Sequence, residues 1–316
     1  MMTQALKKFT IVNRIFKKSL FDYNTTSIIL TFYWNLLPKR KVLLDWIDIN
    51  KLDWCELSYN KNAIDLLKNN VDKINWSQLS GNINAMQILT PNIVEQYKDE
   101  LDWKLLSDNP GTVELLKRHK DKIDWLFLSN NEGAIELITD NLDKIDWNWL
   151  SGNENAIELL KNNQDKIDWF NLSRNDNAIQ LLKDNYSKIH WNYIVWNNNA
   201  FDLIKEKIEY ENRLTPTEYD DLPHHHKINW ISLSSKKYAI ELLIHNSDKI
   251  DWQSLSDNKG AIELLKNNMD KIDWSNLSMN EGAIDLLREN REKIDWEAIS
   301  CNPNIFIDEP MPKIKL

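Results

Sequence analysis

The sequence predicts an all-α fold: a right-handed α-solenoid of about eleven 22-residue units, each with one short helix of about one turn, α or 3-10, and one longer α-helix. Three observations predict it. Tryptophan recurs at Trp54, Trp76, Trp103, Trp125, Trp147, Trp169, Trp191, Trp230, Trp252, Trp274 and Trp296, mostly 22 residues apart, a period at which each unit buries its apolar face against its neighbours. The same polar residues accompany each tryptophan at fixed offsets. No strand pattern competes with the helical one.

Residues 1–44 are set apart by charge. They hold eight basic residues against the single acid Asp22, a net of +7, whereas the remainder holds 31 basic and 47 acidic residues, a net of −16. On a helical projection Leu6, Phe9, Val12, Phe16 and Leu20 gather on one side and Lys7, Arg14 and Lys18 on the other. This basic amphipathic segment has two readings. It caps the greasy face of the first unit, or it docks on a membrane or partner through Lys7, Lys8, Arg14, Lys17 and Lys18. Pro38 breaks the chain, and Val42 to Ile47 reads as an incomplete unit leading into the array over 45–307. A tail, 308–316, follows the array.

Within a unit we count from the tryptophan as zero. The residue before it is Asp in eight copies, Asn in two and His in one, largely the chemistry of an N-cap. A short helix follows, with Leu or Ile at +3 on the tryptophan face and Ser at +4 in ten copies; Val195 is the exception. Asn stands at +6 in ten copies, among them Asn60, Asn131, Asn153, Asn175 and Asn280, with Lys236 the exception. Proline or an acid commonly follows it, as an N-cap at +6 requires, so a second helix of about ten residues starts at +7. These asparagines read as structural caps tying loops together. Ala at +9, Ile at +10 and Leu at +12 and +13 form the buried face, and Asn near +16 offers a left-handed helix end.

Two insertions interrupt the period. Five extra residues near 90–100, around Pro91 to Tyr97, suggest a lengthened second helix, and seventeen extra residues span about 205–226.

Chemistry finds little purchase. The array is acidic and disfavours nucleic-acid phosphates. The apolar run from Ile28 to Trp34 falls well short of the roughly 20 residues that span a bilayer, and no signal sequence stands at the N-terminus, so we expect a soluble intracellular protein that is not secreted. Cys55 and Cys301 stand at opposite ends of the array, too far apart in a solenoid to pair. Consecutive histidines His224, His225 and His226 point in different directions, with only Asp220 and Asp221 as local ligands, and His119, His190 and His245 read as surface or cap residues. Glycine totals six, with no phosphate-cradling loop. We therefore expect no enzymatic activity, no cofactor and no metal.

Variable positions are the better guide to function. At +2 the outer units carry polar or small residues, while the middle units carry Leu105, Phe127, Trp149 and Tyr193, broken by Asn171, with Phe170 and Trp196 near by in sequence. Stacked units would align these as an aromatic stripe for a protein partner, or they fill core.

The phrase Asp-Lys-Ile-Asp-Trp-x-x-Leu-Ser-x-Asn-x-x-Ala-Ile-x-Leu-Leu-Lys-x-Asn resembles the repeat of large paralogous protein sets encoded by giant DNA viruses of amoebae, the mimivirus relatives. The likeness covers about residues 42–307, including the lead-in Leu43-Leu44-Asp45-Trp46. It brings no catalytic residues. This chain departs from the pattern in usually lacking proline after the +6 Asn, in its two insertions and in its basic N-terminal segment. The expectation is a non-enzymatic scaffold, a viral adaptor binding a viral or host protein in the infected-cell cytoplasm. A self-associating virion or viral-factory component is the alternative.

Overall fold

A computed structural model describes residues 8–13, 23–37 and 39–310. The all-α repeat array is present, and ten units follow the sequence closely at their start; in the remaining one Trp191 to Tyr193 form a turn and the short helix is a 3-10 one, Ile194–Trp196. Asp146 sits in extended conformation, its carboxylate accepts the Trp149 amide at 2.9 Å, and Trp147–Gly152 forms the short α-helix. Leu150 and Ser151 point inward and are fully buried.

The second helix differs from expectation. It begins as a 3-10 turn, Glu154–Ala156, and continues as an α-segment, Ile157–Lys161. The +9 alanine at the junction is buried against the neighbouring unit. Nor does asparagine end it in a left-handed conformation: no residue among those described has positive φ. Asn163 instead adopts φ −137° and donates its side-chain amide to the Leu159 carbonyl one turn back, satisfying a helix-end acceptor. A further 3-10 turn, Gln164–Lys166, leads to the next unit.

Units are joined by one repeated set of hydrogen bonds. Asn153 donates to the carbonyls of Ser129 and Asn131 in the preceding unit, both at 3.1 Å, while its own oxygen accepts the Asn155 amide. The Ser129 hydroxyl accepts the Asp146 amide at 2.9 Å and donates to the Trp125 carbonyl. Buried polar groups carry a penalty unless paired, and here the pairing crosses the joint, so the +4 and +6 residues fix how units stack.

This set closes on itself. Asn60 in the first unit donates to the carbonyls of Ser300 and Asn302 in the last, at 2.9 and 3.1 Å, and the Asp53 amide reaches the Ser300 hydroxyl at 2.9 Å. The helices Trp54–Tyr59 and Trp296–Cys301 pack side by side as any two consecutive short helices do. Outside the joint, Lys41–Leu43 (β1) pairs antiparallel with Phe306–Asp308 (β2), Lys41 opposite Asp308. The array is thus a closed ring of eleven units, and three expectations change with it. The lead-in before Trp54 is a strand that staples the ring, and residues 308–310 belong to the same staple, the Glu309 amide bonding the Arg40 carbonyl at 3.0 Å. The first unit is covered by the last unit, not by an N-terminal helix. Cys55 and Cys301 lie in adjacent units, both as free thiols.

Both insertions form helices of their own. The first is not a longer second helix: Ala85–Gln87 ends as a 3-10 turn, Thr90 caps a new helix Pro91–Gln96, and Tyr97 stacks on Trp76 at 3.9 Å. The second lengthens the unit's own second helix to Phe201–Glu211 and adds a helix, Pro216–Asp221, and a 3-10 turn, His224–His226. The helix Tyr23–Leu36 packs with Phe9 in a small core of its own, distinct from the continuous core of the ring.

Candidate functional site: the inner wall of the ring

Successive short helices pack against one another, as do many of the 3-10 turns at +7 to +9, whereas the following α-segments spread apart. The short helices therefore form the inner layer. With +3 and +4 buried on one side of each, the side chains at +5 and +7 face the hollow.

Two clefts on this wall each draw on several units. One, of about 550 Å³, is lined by Asn130, Glu132, Glu154, Arg174, Tyr193 and Trp196 together with Gly152, Asn192, Asn229 and Ser232. The other, of about 410 Å³, runs from Asn198 through Lys237, Asp257 and Glu281 to Cys301 and Pro303 beside the seam.

Charge is arranged unevenly round the wall. Glu132, Glu154 and Asp176 follow one another at +7 in consecutive units. Burial, then Asp176 and Glu132, push the Glu154 carboxyl above its ordinary pKa. Asp176 receives the backbone and side-chain amides of Asn198. Farther along the same +7 row come Lys237, Lys259 and, past the seam, Lys61, the last two paired with Glu281 at 3.6 and 3.5 Å. Trp196 projects into the hollow, 48% exposed, with the Lys236 ammonium 3.1 Å from its ring centre. Burial lowers Lys236 to about 8, against the opposing pull of Asp257 and Asp176.

The expected aromatic stripe is not continuous. Phe127 and Trp149 form one pair, 5.6 Å apart, and Phe170 and Tyr193 another at 3.8 Å. Asn171 separates them, its side chain turned to Asp168. Leu105, Phe127, Trp149, Phe170 and Tyr193 are all half-buried, neither core nor free surface. Of the six residues, Tyr193 and Trp196 share the 550 Å³ cleft and the other four do not line it. Of the basic residues marked for docking, Lys8 is exposed, and Lys7, Arg14, Lys17 and Lys18 lie outside the described residues.

Four features escaped the sequence reading. In eight units the lysine at −3 lies over the tryptophan of the unit before, as Lys166 over Trp147 at 4.4 Å, and Lys51 over Trp296 repeats this across the seam at 4.8 Å. The signal was present: −3 is lysine in ten of eleven units. Second, the two exceptions Val195 and Lys236 belong to one joint, where the Tyr238 hydroxyl donates to the Val195 carbonyl at 2.7 Å in place of the asparagine. Third, His190 is half-buried and not a simple cap. Its ring meets Phe170, Tyr193 and His225, its Nδ1 is buried without a partner, and burial with His225 near by lowers its pKa. Fourth, Asp53, Cys55 and Glu56 bring ligand-type atoms within 4.8 Å of one another at the seam. Those groups already have work: Asp53 caps the helix, and the Cys301 thiol donates to Glu56 at 2.8 Å. Burial and that bond push Cys301 up to about 12.

Among the described residues no helix is long and apolar enough to cross a membrane. Comparison of the chain with protein-family models, curated proteins and solved structures returned no match.

Proposed function

We propose that the ring is a non-enzymatic scaffold that holds a segment of another protein against the inner wall of its central units. The observation that carries this reading is the 550 Å³ cleft, in which exposed Trp196 and half-buried Tyr193 stand beside Glu132 and Glu154. Aromatic side chains on a concave, preformed wall supply anchoring area at low entropic cost. The carboxylates favour a segment carrying lysine or arginine, whose charge would relieve the repulsion felt by Glu154. Closure makes the wall rigid, since no terminal unit is free to fray. The same closure leaves neither terminal face of the array free for end-to-end stacking, which weighs against the self-assembling component. The repeat's resemblance to the giant-virus sets makes an adaptor in infected cells, or in the virion, the setting to test first.

Panning a displayed peptide library on the purified ring, then titrating a selected peptide by calorimetry, tests the reading. Trp196→Ser and Glu154→Gln should each weaken binding about tenfold, a loss of roughly 1.4 kcal/mol, with the ring still folded. Selected peptides that bind both variants as well as the intact ring would sink it.

A further inference from the structure

The helix Tyr23–Leu36 has two apolar faces, and the chain uses only one. On that face Leu30 and Trp34 are buried against Phe9, the Phe9 and Trp34 rings meeting edge to face at 5.2 Å, with Val12, Tyr33 and Leu37 around them. On the other, Ile28, Phe32 and Leu36 stand at i, i+4 and i+8 and are 70%, 66% and 67% exposed; Ile11 on the partner segment is 61% exposed. No charged residue falls within the helix. Three large apolar side chains in one row are a patch that needs a partner.

We propose that this N-terminal module docks on an anionic lipid surface, laying the Ile28, Phe32 and Leu36 row into the boundary between headgroups and acyl chains. The occupant follows from charge and length. Residues 1–39, before the staple in which Arg40 and Lys41 pair with Glu309 and Asp308, carry +5 and the rest of the chain −14, so an anionic surface attracts the module and turns the ring away from itself. A second copy of the module is a poor partner, because two segments of net charge +5 repel. The helix has 14 residues and would extend only about 21 Å, against a hydrocarbon core of roughly 30 Å, so it lies in the plane of the surface. The Lys39 ammonium, 5.9 Å from the Trp34 ring centre, adds a cation at the C-terminal end of the helix. A short apolar row plus a basic segment is the pair of weak signals that together give stable, reversible attachment.

The test is co-sedimentation of the full-length protein with phosphatidylcholine vesicles, with and without phosphatidylserine. The intact protein should bind the anionic vesicles at least about tenfold more tightly than the neutral ones, and less in high salt. The variant Ile28→Ser/Phe32→Ser/Leu36→Ser should lose binding about tenfold or more, as should Lys7→Gln/Lys8→Gln/Lys17→Gln/Lys18→Gln. Both sets leave the Leu30, Trp34 and Phe9 core intact, and unchanged circular dichroism and melting exclude unfolding as the cause. Absence of binding to anionic vesicles, equal binding by the serine variant, or light scattering showing that the row drives dimer formation without vesicle binding would each overturn the proposal.

Discussion

The side-chain amide of Asn60 donates to the backbone carbonyl of Ser300 at 2.9 Å, across 240 residues of sequence. Asn153 makes the same bond to Ser129 in the middle of the array. The two ends of a linear repeat array would have no reason to share the bond that joins its interior units. Here they do, and the protein is a ring.

The first prediction compares those two asparagines. Asn153→Ala leaves two buried carbonyls without their donor and should cost about 2–3 kcal/mol in urea unfolding. In a ring Asn60→Ala should cost as much, since Asn60 reaches the Ser300 and Asn302 carbonyls. Exposed Asn162→Ala should stay within about 0.5 kcal/mol. A cheap Asn60→Ala would mean that the first joint is open.

The lysine over most of the repeat tryptophans gives a second prediction. Lys166→Gln removes the ammonium 4.4 Å from the Trp147 ring and should destabilise by about 0.5–1 kcal/mol. Lys51→Gln, facing Trp296 from the next turn of the ring, should match it. Equal stability of Lys166→Gln and the parent would show that the contact contributes nothing.

What the sequence did and did not reveal follows the same division. The caps at −1 and +6, the apolar face at +3 and +9 and both insertion sites were legible because each depends on local chemistry or on one neighbour; the serine at +4 was read as a helix end, and its full burial was not. Ring closure was not, because it is the sum of small rotations over eleven joints, and no single residue encodes it. A hint existed. Solenoids end in atypical units with polar outer faces, yet Asn60 and Ser300 keep the interior pattern. The inner wall was partly legible. The sequence pointed to variable +2 residues, but +2 sits at the flank of the short helix and half-buries in ring pairs, whereas +5 and +7 face the hollow. Trp196 was grouped with the stripe, which the sequence left open between surface and core, and its partner Lys236 lies 40 residues away beyond the insertion.

His190 sets a pH dependence. Its folded pKa lies below the ordinary 6.5, through burial and the neighbouring His225, so the unfolded chain binds the proton more readily. The stability this contributes is complete above about 6.5 and falls as pH drops below it. His190→Asn, which removes the titration at an N-cap-type position, should flatten the loss of melting temperature between about pH 6.5 and 5. An unchanged slope would assign the acid limb to other groups.

The seam thiol is the fourth test. With Cys301 pushed up to about 12 by burial and by its bond to Glu56, alkylation at pH 8 should be much slower than for an ordinary exposed thiol. Glu56→Gln removes the carboxylate and should speed it. Fast labelling of Cys301 in the parent would mean that the last unit is not seated on the first.

Closure itself is tested most directly by a cross-link. Lys41 and Asp308 face each other in the β1–β2 pair, at a separation typical of disulfide geometry. In a background with Cys55 and Cys301 replaced by serine, Lys41→Cys/Asp308→Cys should oxidise to an intramolecular disulfide. The product should be a monomer of raised gel mobility, with a yield independent of protein concentration. Persistence of two free thiols, or disulfide-linked dimers that grow with concentration, would contradict the ring.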